Sequence, residues 1–201
     1  MRTLLLSLLF FFNLHASEVI LSALLGTFKS EHSLRVGDAL KVGTDYELAT
    51  SSKMQILINS NAVVTLSPHS RFRLEHIDNL TCKLYIYKGT YKIFNLAASK
   101  PALSIEIKTP TLSIDMHDSI ALIKVTPELS KTACAKNTMT VTYKSESTLL
   151  KEREMLTLKD HTLKKSPSIY EDFSDVFIKQ IRANEKLVLP QERKDPSDLD
   201  H

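Results

Sequence analysis

Leu103-Ser104-Ile105-Glu106-Ile107-Lys108 and, beyond Thr109-Pro110-Thr111, Leu112-Ser113-Ile114-Asp115-Met116 set apolar and polar residues in strict alternation. A period of two gives each face of a β-strand one kind of residue, whereas a helix would scatter them around its axis. Each run therefore predicts a strand with one face packed inward and the other in water. The pattern extends both ways from there. Upstream lie Met54-Gln55-Ile56-Leu57-Ile58, Val63-Val64-Thr65-Leu66 and Phe72-Arg73-Leu74; downstream lie Ile120 to Val125, Met139 to Tyr143 and Met155 to Leu158. Between Leu84-Tyr85-Ile86-Tyr87 and Tyr91-Lys92-Ile93-Phe94, the tripeptide Lys88-Gly89-Thr90 reads as a hairpin-like turn. Short runs at intervals of about 8–12 residues predict an all-β domain, an antiparallel-rich sandwich or roll of many short strands.

The two ends of the chain break this rhythm. Met1-Arg2-Thr3 carries one positive charge, Leu4 to Phe12 is apolar but for Ser7, and Asn13-Leu14-His15-Ala16 ends on a small residue. That layout predicts a secretory signal peptide over 1–16, cut before Ser17. A membrane-spanning helix needs about 20 apolar residues, and this run is shorter; a retained anchor is the alternative. Export to a bacterial periplasm or beyond follows. After Pro167 the apolar spacing shifts to three and four residues: Ile169, Phe173, Val176, Phe177 and Ile181. This predicts an amphipathic helix over Ser168 to Lys186, with Ser168 as N-cap and Glu171 at the capping-box position. Its stripe either closes the β-domain or docks a partner. The expected organisation is a signal peptide over 1–16, a β-domain over 17–165, a helical segment over 166–188, and a polar, disordered tail over 189–201.

With 201 residues the chain suits one domain of ordinary size. Its formal net charge is +3, one unit of it from Arg2, and the basic residues are scattered among acids. Nucleic-acid binders ordinarily cluster such charge, so that partner is not expected. Cys82 and Cys134 in an exported chain read as a possible disulfide or as two reduced thiols, buried separately in the sheet or exposed. No CxxC spacing suggests redox or metal chemistry.

A resemblance emerges between Leu34 and Ser70. Val36-Gly37-Asp38-Ala39-Leu40-Lys41-Val42-Gly43, then Leu48-Ala49-Thr50-Ser51-Ser52, Gln55-Ile56-Leu57-Ile58 and Val64-Thr65-Leu66-Ser67-Pro68-His69-Ser70 resemble the FecR-type domain. Tyr87-Lys88-Gly89-Thr90-Tyr91 resembles that family's second glycine turn, and Ile107-Lys108-Thr109-Pro110 its Thr-Pro strand start. The resemblance spans about Leu24 to Lys164 and implies an all-β extracytoplasmic module. Two positions depart from it. Ser60-Asn61-Ala62 replaces the family's Asp-Gly-Ser turn, with Asn61 in the glycine place, and Met116-His117-Asp118-Ser119 replaces a Gly-Thr pair. Founding members control a sigma factor through a cytoplasmic N-terminal segment. Here only three residues precede the apolar run, so the resemblance implies the outer module without that segment.

Catalytic constellations are absent from the sequence. There is no G-x-S-x-G, no H-E-x-x-H and no phosphate loop, and Gly26, Gly37, Gly43 and Gly89 are the only glycines. Asp115, His117 and Asp118 read as a polar strand end rather than a metal site, and His69 and His76 as solvated. Glu152 and Glu154, interleaved with Lys151 and Arg153, read as a solvated hairpin. The expectation is a non-catalytic envelope protein that binds a protein partner, without cofactor, metal or nucleic acid and with no membrane span after signal cleavage. The helix stripe of Phe173, Val176, Phe177 and Ile181 is the candidate partner-docking or core-capping element. The alternative is a glycan or small-molecule binder lined by Tyr85, Tyr87, Tyr91 and Tyr143; a cell-wall enzyme is the remotest reading.

Overall fold

The computed structural model describes residues 17–95, 102–167 and Phe173. Among them fourteen strands follow in order: β1 (Val19–Leu25), β2 (Phe28–Lys29), β3 (Asp45–Leu48), β4 (Lys53–Ile58), β5 (Ala62–Leu66), β6 (Arg71–Ile77), β7 (Thr81–Asn95), β8 (Ser104–Lys108), β9 (Leu112–Met116), β10 (Ser119–Val125), β11 (Leu129–Tyr143), β12 (Glu146–Lys151), β13 (Glu154–Lys159) and β14 (Thr162–Pro167). The all-β expectation holds. Two sheets share the long strands β7 and β11. Sheet A runs β1-β4-β5-β7-β10-β11-β13-β14. Sheet B runs β2-β3-β6-β7-β8-β9-β11-β12.

Alternation decides which face turns inward. In sheet A, Leu21, Ile56, Val64, Ile93, Ile123 and Leu156 are fully or almost fully buried; in sheet B, Leu74, Ile86, Ile105, Ile114 and Val141 meet them in one continuous core. The strands of the opening motif show this pattern, with Ile105, Ile107, Leu112, Ile114 and Met116 buried and the residues between them half-exposed.

Lys88-Gly89-Thr90 is not a hairpin. Gly89 lies inside the fifteen-residue strand β7 at φ 119°, where the strand leaves sheet B for sheet A. Residues up to Lys88 pair with β6, and Gly89 to Asn95 pair with β10. A glycine reaches this conformation without the steric cost of a Cβ, so the strand bends and continues instead of reversing. The same crossing explains the one parallel pair among the described strands, β7 with β8. The second half of β7 and the chain up to Ser104 carry the backbone back to the starting end of β7, as a parallel pair requires. β11 likewise crosses, pairing with β10 and β13 up to Asn137 and with β9 and β12 from Thr138 on.

Other local expectations are corrected. The β4–β5 turn takes its positive φ at Asn59 (46°) and Ser60 (55°), not at Asn61. The Asn61 N–H closes it on the Ile58 carbonyl at 2.9 Å. Two successive central residues in this region fit the right-handed twist of the flanking strands. Cys82 and Cys134 are free thiols, both buried, and the possible disulfide is not formed. Cys82 pairs within sheet B with Ile77 and Ile105, whereas Cys134 pairs within sheet A with Ala121 and Glu154. Of the helix stripe, Phe173 is described; Val176, Phe177, Ile181 and the helix itself lie outside the described residues, as do the signal peptide and the tail.

The block that carries the family resemblance has a visible structural role. Leu21 N–H donates to the Asp38 carbonyl at 2.9 Å, Gly37 N–H to the Leu21 carbonyl at 2.8 Å, and Leu40 N–H to the Val19 carbonyl at 2.7 Å. The loop thus covers the otherwise open edge of β1, a place where unpaired backbone groups invite foreign strands.

Candidate functional site

The outer face of sheet B is a ladder of paired charges. Arg71 and Arg73 both reach the Asp45 carboxylate, at 2.7 and 2.6 Å, Lys88 meets Glu47 at 2.7 Å, and Lys83 meets Glu106 at 2.7 Å. The Arg71 guanidinium also lies 4.6 Å from the Tyr87 ring centre, and the Tyr85 ring is tilted against that of Tyr87 with centroids 4.7 Å apart. Burial alone would raise the Asp45 carboxyl, but hydrogen bonds from Arg73 and Arg71 outweigh it and hold the group below its usual range. These pairs come from strands that are distant in sequence, which is why only the folded register reveals them. Such exposed pairs satisfy one another and bring little stability, so this face reads as hydrated surface.

The tyrosines of the ligand-binding alternative do not converge. Tyr85 and Tyr87 lie on the outer face of sheet B, half-buried. Tyr91 is buried, with its hydroxyl 2.9 Å from the Arg71 and Lys88 carbonyls. Tyr143 packs against the core from β11. A cleft of about 370 Å³ does open at one end of the sandwich, lined by Arg71, Tyr87, Lys88, Thr126, Glu128 and His161 among others. Sequence reasoning singled out only Tyr87 of these six.

Asp115, His117 and Asp118 do not assemble into a ligand set. His117 and Asp118 are exposed, and among the described residues no three His, Cys, Asp or Glu side chains are placed to hold a metal. The backbone of this turn has a structural role: the buried Asn95 amide donates to the Leu103 and His117 carbonyls at 2.8 and 2.9 Å, and Asn137 donates to that of Asp118 at 2.8 Å. His69 sits exposed in the turn before β6, and His76 pairs with Asp78 at 2.8 Å. Glu154 accepts from Lys151 N–H and pairs with Lys165, both at 2.7 Å.

The outer face of sheet A differs in kind. Ile120, Leu122, Ala133, Ala135 and Met155 form a second apolar cluster there, separate from the core, and Phe173 is seated on it with 1% of its surface exposed. Half-buried Phe94 packs against the same cluster. Lys92, which pairs in register with Leu122, is only 4% exposed, and its ammonium group is pushed down by burial. A lysine on an outer sheet face is ordinarily solvated, so this side of the sandwich is a covered, interacting surface.

No protein-family model and no curated protein matches the chain. Two crystal structures of a "putative anti-sigma factor" from Parabacteroides distasonis ATCC 8503 share its fold, each with a TM-score of 0.55 at 12% identity. The alignment covers 62% of this chain and 59% of each of those chains, so this protein spans less than two thirds of their length.

Proposed function

We propose that the chain is an exported, non-catalytic FecR-like module that captures a protein partner in the bacterial cell envelope and serves signalling there. The observation that carries this reading is the contrast between its two outer faces. The charges of sheet B satisfy one another, whereas the outer face of sheet A carries an apolar cluster on which Phe173, a residue of the predicted helix stripe, is seated. A partner that displaces Phe173 would meet an apolar patch framed by polar residues, the ordinary composition of a protein-docking site. The fold shared with an anti-sigma-type protein supports a signalling or regulatory role. The export part of this reading rests on the charged, apolar and small-residue layout of residues 1–16 in the sequence.

The test is cross-linking in intact envelopes with the full chain and with a chain lacking Ser168 to Lys186. A partner recovered by the first and lost by the second supports the module; no partner with either removes it. N-terminal sequencing that starts at Met1 would replace signal cleavage by a retained anchor. The end cleft favours a second reading, binding of a glycan or other small molecule beside Arg71, Tyr87 and Lys88. Saturable binding of cell-wall fragments, abolished by Tyr87→Ala, would support it.

A further inference from the structure

The cleft at the end of the sandwich is built by both sheets. Arg71 opens β6, Lys88 precedes the bend of β7 and Thr111 stands in the β8–β9 turn, all on the sheet B side. Glu128 in the β10–β11 turn and Asp160 in the β13–β14 turn come from sheet A. The two sheets meet there through hydroxyls, Thr111 Oγ1 and Ser130 Oγ being 3.0 Å apart. We infer that this cleft binds a neutral polyhydroxyl ligand of about the size of one sugar ring. Such a ligand class rests on the small-molecule reading of the cleft and narrows it.

Three observations select that class. First, the lining carries no strong charge of one sign. Arg71 and Lys88 stand with Glu128 and Asp160, and both cations already hold carboxylates, Asp45 and Glu47, at 2.7 Å. An anion would have to displace those partners, and a cation would meet Arg71 and Lys88 while gaining little from two hydrated carboxylates. Second, donors and acceptors are both left over. Guanidinium and ammonium groups keep further N–H donors after one such contact. Glu128 accepts only from Thr126 Oγ1, at 3.4 Å, and the Asp160 carboxylate accepts nothing among the described residues. Whichever of Thr111 and Ser130 accepts in their bond keeps its own proton to donate. A ligand hydroxyl both donates and accepts, so a polyol uses all of these groups without carrying charge. Third, size and apolar surface fit a ring. The cleft's volume of about 370 Å³ lies at the lower end of small-molecule pockets, and Val125 and Leu158 from the core line it beside Leu129, apolar surface for the C–H face of a sugar.

Amide chemical-shift titration of the full mature chain tests this, with D-glucose, D-galactose and N-acetylglucosamine as neutral probes and inorganic phosphate and ethylenediamine as charged ones. At least one sugar should saturate with a dissociation constant of about 1 mM or tighter and move the amides of Thr111, Glu128, Ser130 and His161, while the charged probes leave them in place. Glu128→Gln with Asp160→Asn keeps side-chain size, and Asn tolerates the φ of 48° at position 160, so the variant should keep the native unfolding transition. It should bind the same sugar about tenfold more weakly, because an amide oxygen accepts less strongly than a carboxylate. Where the double variant does not fold, either single substitution decides, at about threefold. For the sugar that binds, a trimer bound more tightly assigns the cleft to the end of a glycan and equal binding assigns it to the free sugar; both support the class. Undiminished binding in the folded variant, or sugar shifts confined to another part of the protein, overturns it. Cleft shifts with phosphate or ethylenediamine alone overturn the polyol while leaving a small-molecule cleft. No cleft shift with any probe or with cell-wall fragments removes that reading as well.

Discussion

Gly89 is the residue on which the two-sheet arrangement turns. A Cβ built there would clash with Ser70 Oγ and lie 2.5 Å from Ser70 Cα, and its φ of 119° is closed to L side chains. Gly89→Ala should therefore cost about 2 kcal/mol or more, from backbone strain and overpacking together, measurable by urea denaturation. Asp78 fixes the β6–β7 turn in a different way. Its carboxylate pairs with His76 and accepts from the Leu80 and Thr81 N–H groups at 2.8 and 2.7 Å. These bonds, that of His76 foremost, hold its pKa down to about 2 from an ordinary 3.8. A lowered carboxyl contributes stability that is present above the ordinary value and is lost as pH falls through the folded one. Between pH 3.8 and about 2 the melting temperature should fall less steeply in Asp78→Asn than in the parent.

Among the elements, β10 and the C-terminal segment explain each other. Six of the seven residues of β10 are buried, so both its faces are covered. Ala121, Ile123 and Val125 face the core, while Ile120 and Leu122 face the cluster under Phe173. A sheet with one wet face would show alternation here; the unbroken run Ile120-Ala121-Leu122-Ile123 records a second packed layer. Phe173→Ala should destabilise the protein by roughly 3–5 kcal/mol, as for a buried aromatic, and calorimetry would measure it. An unchanged transition would mean that the segment contributes nothing to the folded body.

For the whole molecule, the shared strands predict cooperativity. β7 and β11 each belong to both sheets and the two sheets enclose one continuous core, so opening either strips the other of its packing. The two thiols are natural reporters, Cys82 on the sheet B half of β7 and Cys134 on the sheet A half of β11. Burial raises their pKa values to about 12 and about 11, which leaves scarcely any reactive thiolate at neutral pH. Neither should alkylate in the native protein. Both should become reactive at the same urea concentration, without reductant, when followed by mass spectrometry. Separate midpoints would mean that the sheets unfold independently, and failure to label in urea would mean a bridge.

The sequence by itself determined the strand character and the inward faces, because alternation is a local property that pairing partners do not alter. Ile105, Ile107, Ile114 and Met116 were legible as core for that reason, and the 3.6-residue spacing likewise singled out Phe173. Strand extent was less legible. β1 and β14 lack clean alternation, and Gly89 signals a turn as readily as a bend, since its φ serves both. Only the tertiary structure decided that β7 and β11 cross between sheets, that Cys82 and Cys134 are held in separate sheets, and that the outer faces differ. Arg71, Thr111, Glu128 and Asp160 come to one cleft only through register. Register depends on the sum of many long-range pairings, which no local window of sequence contains.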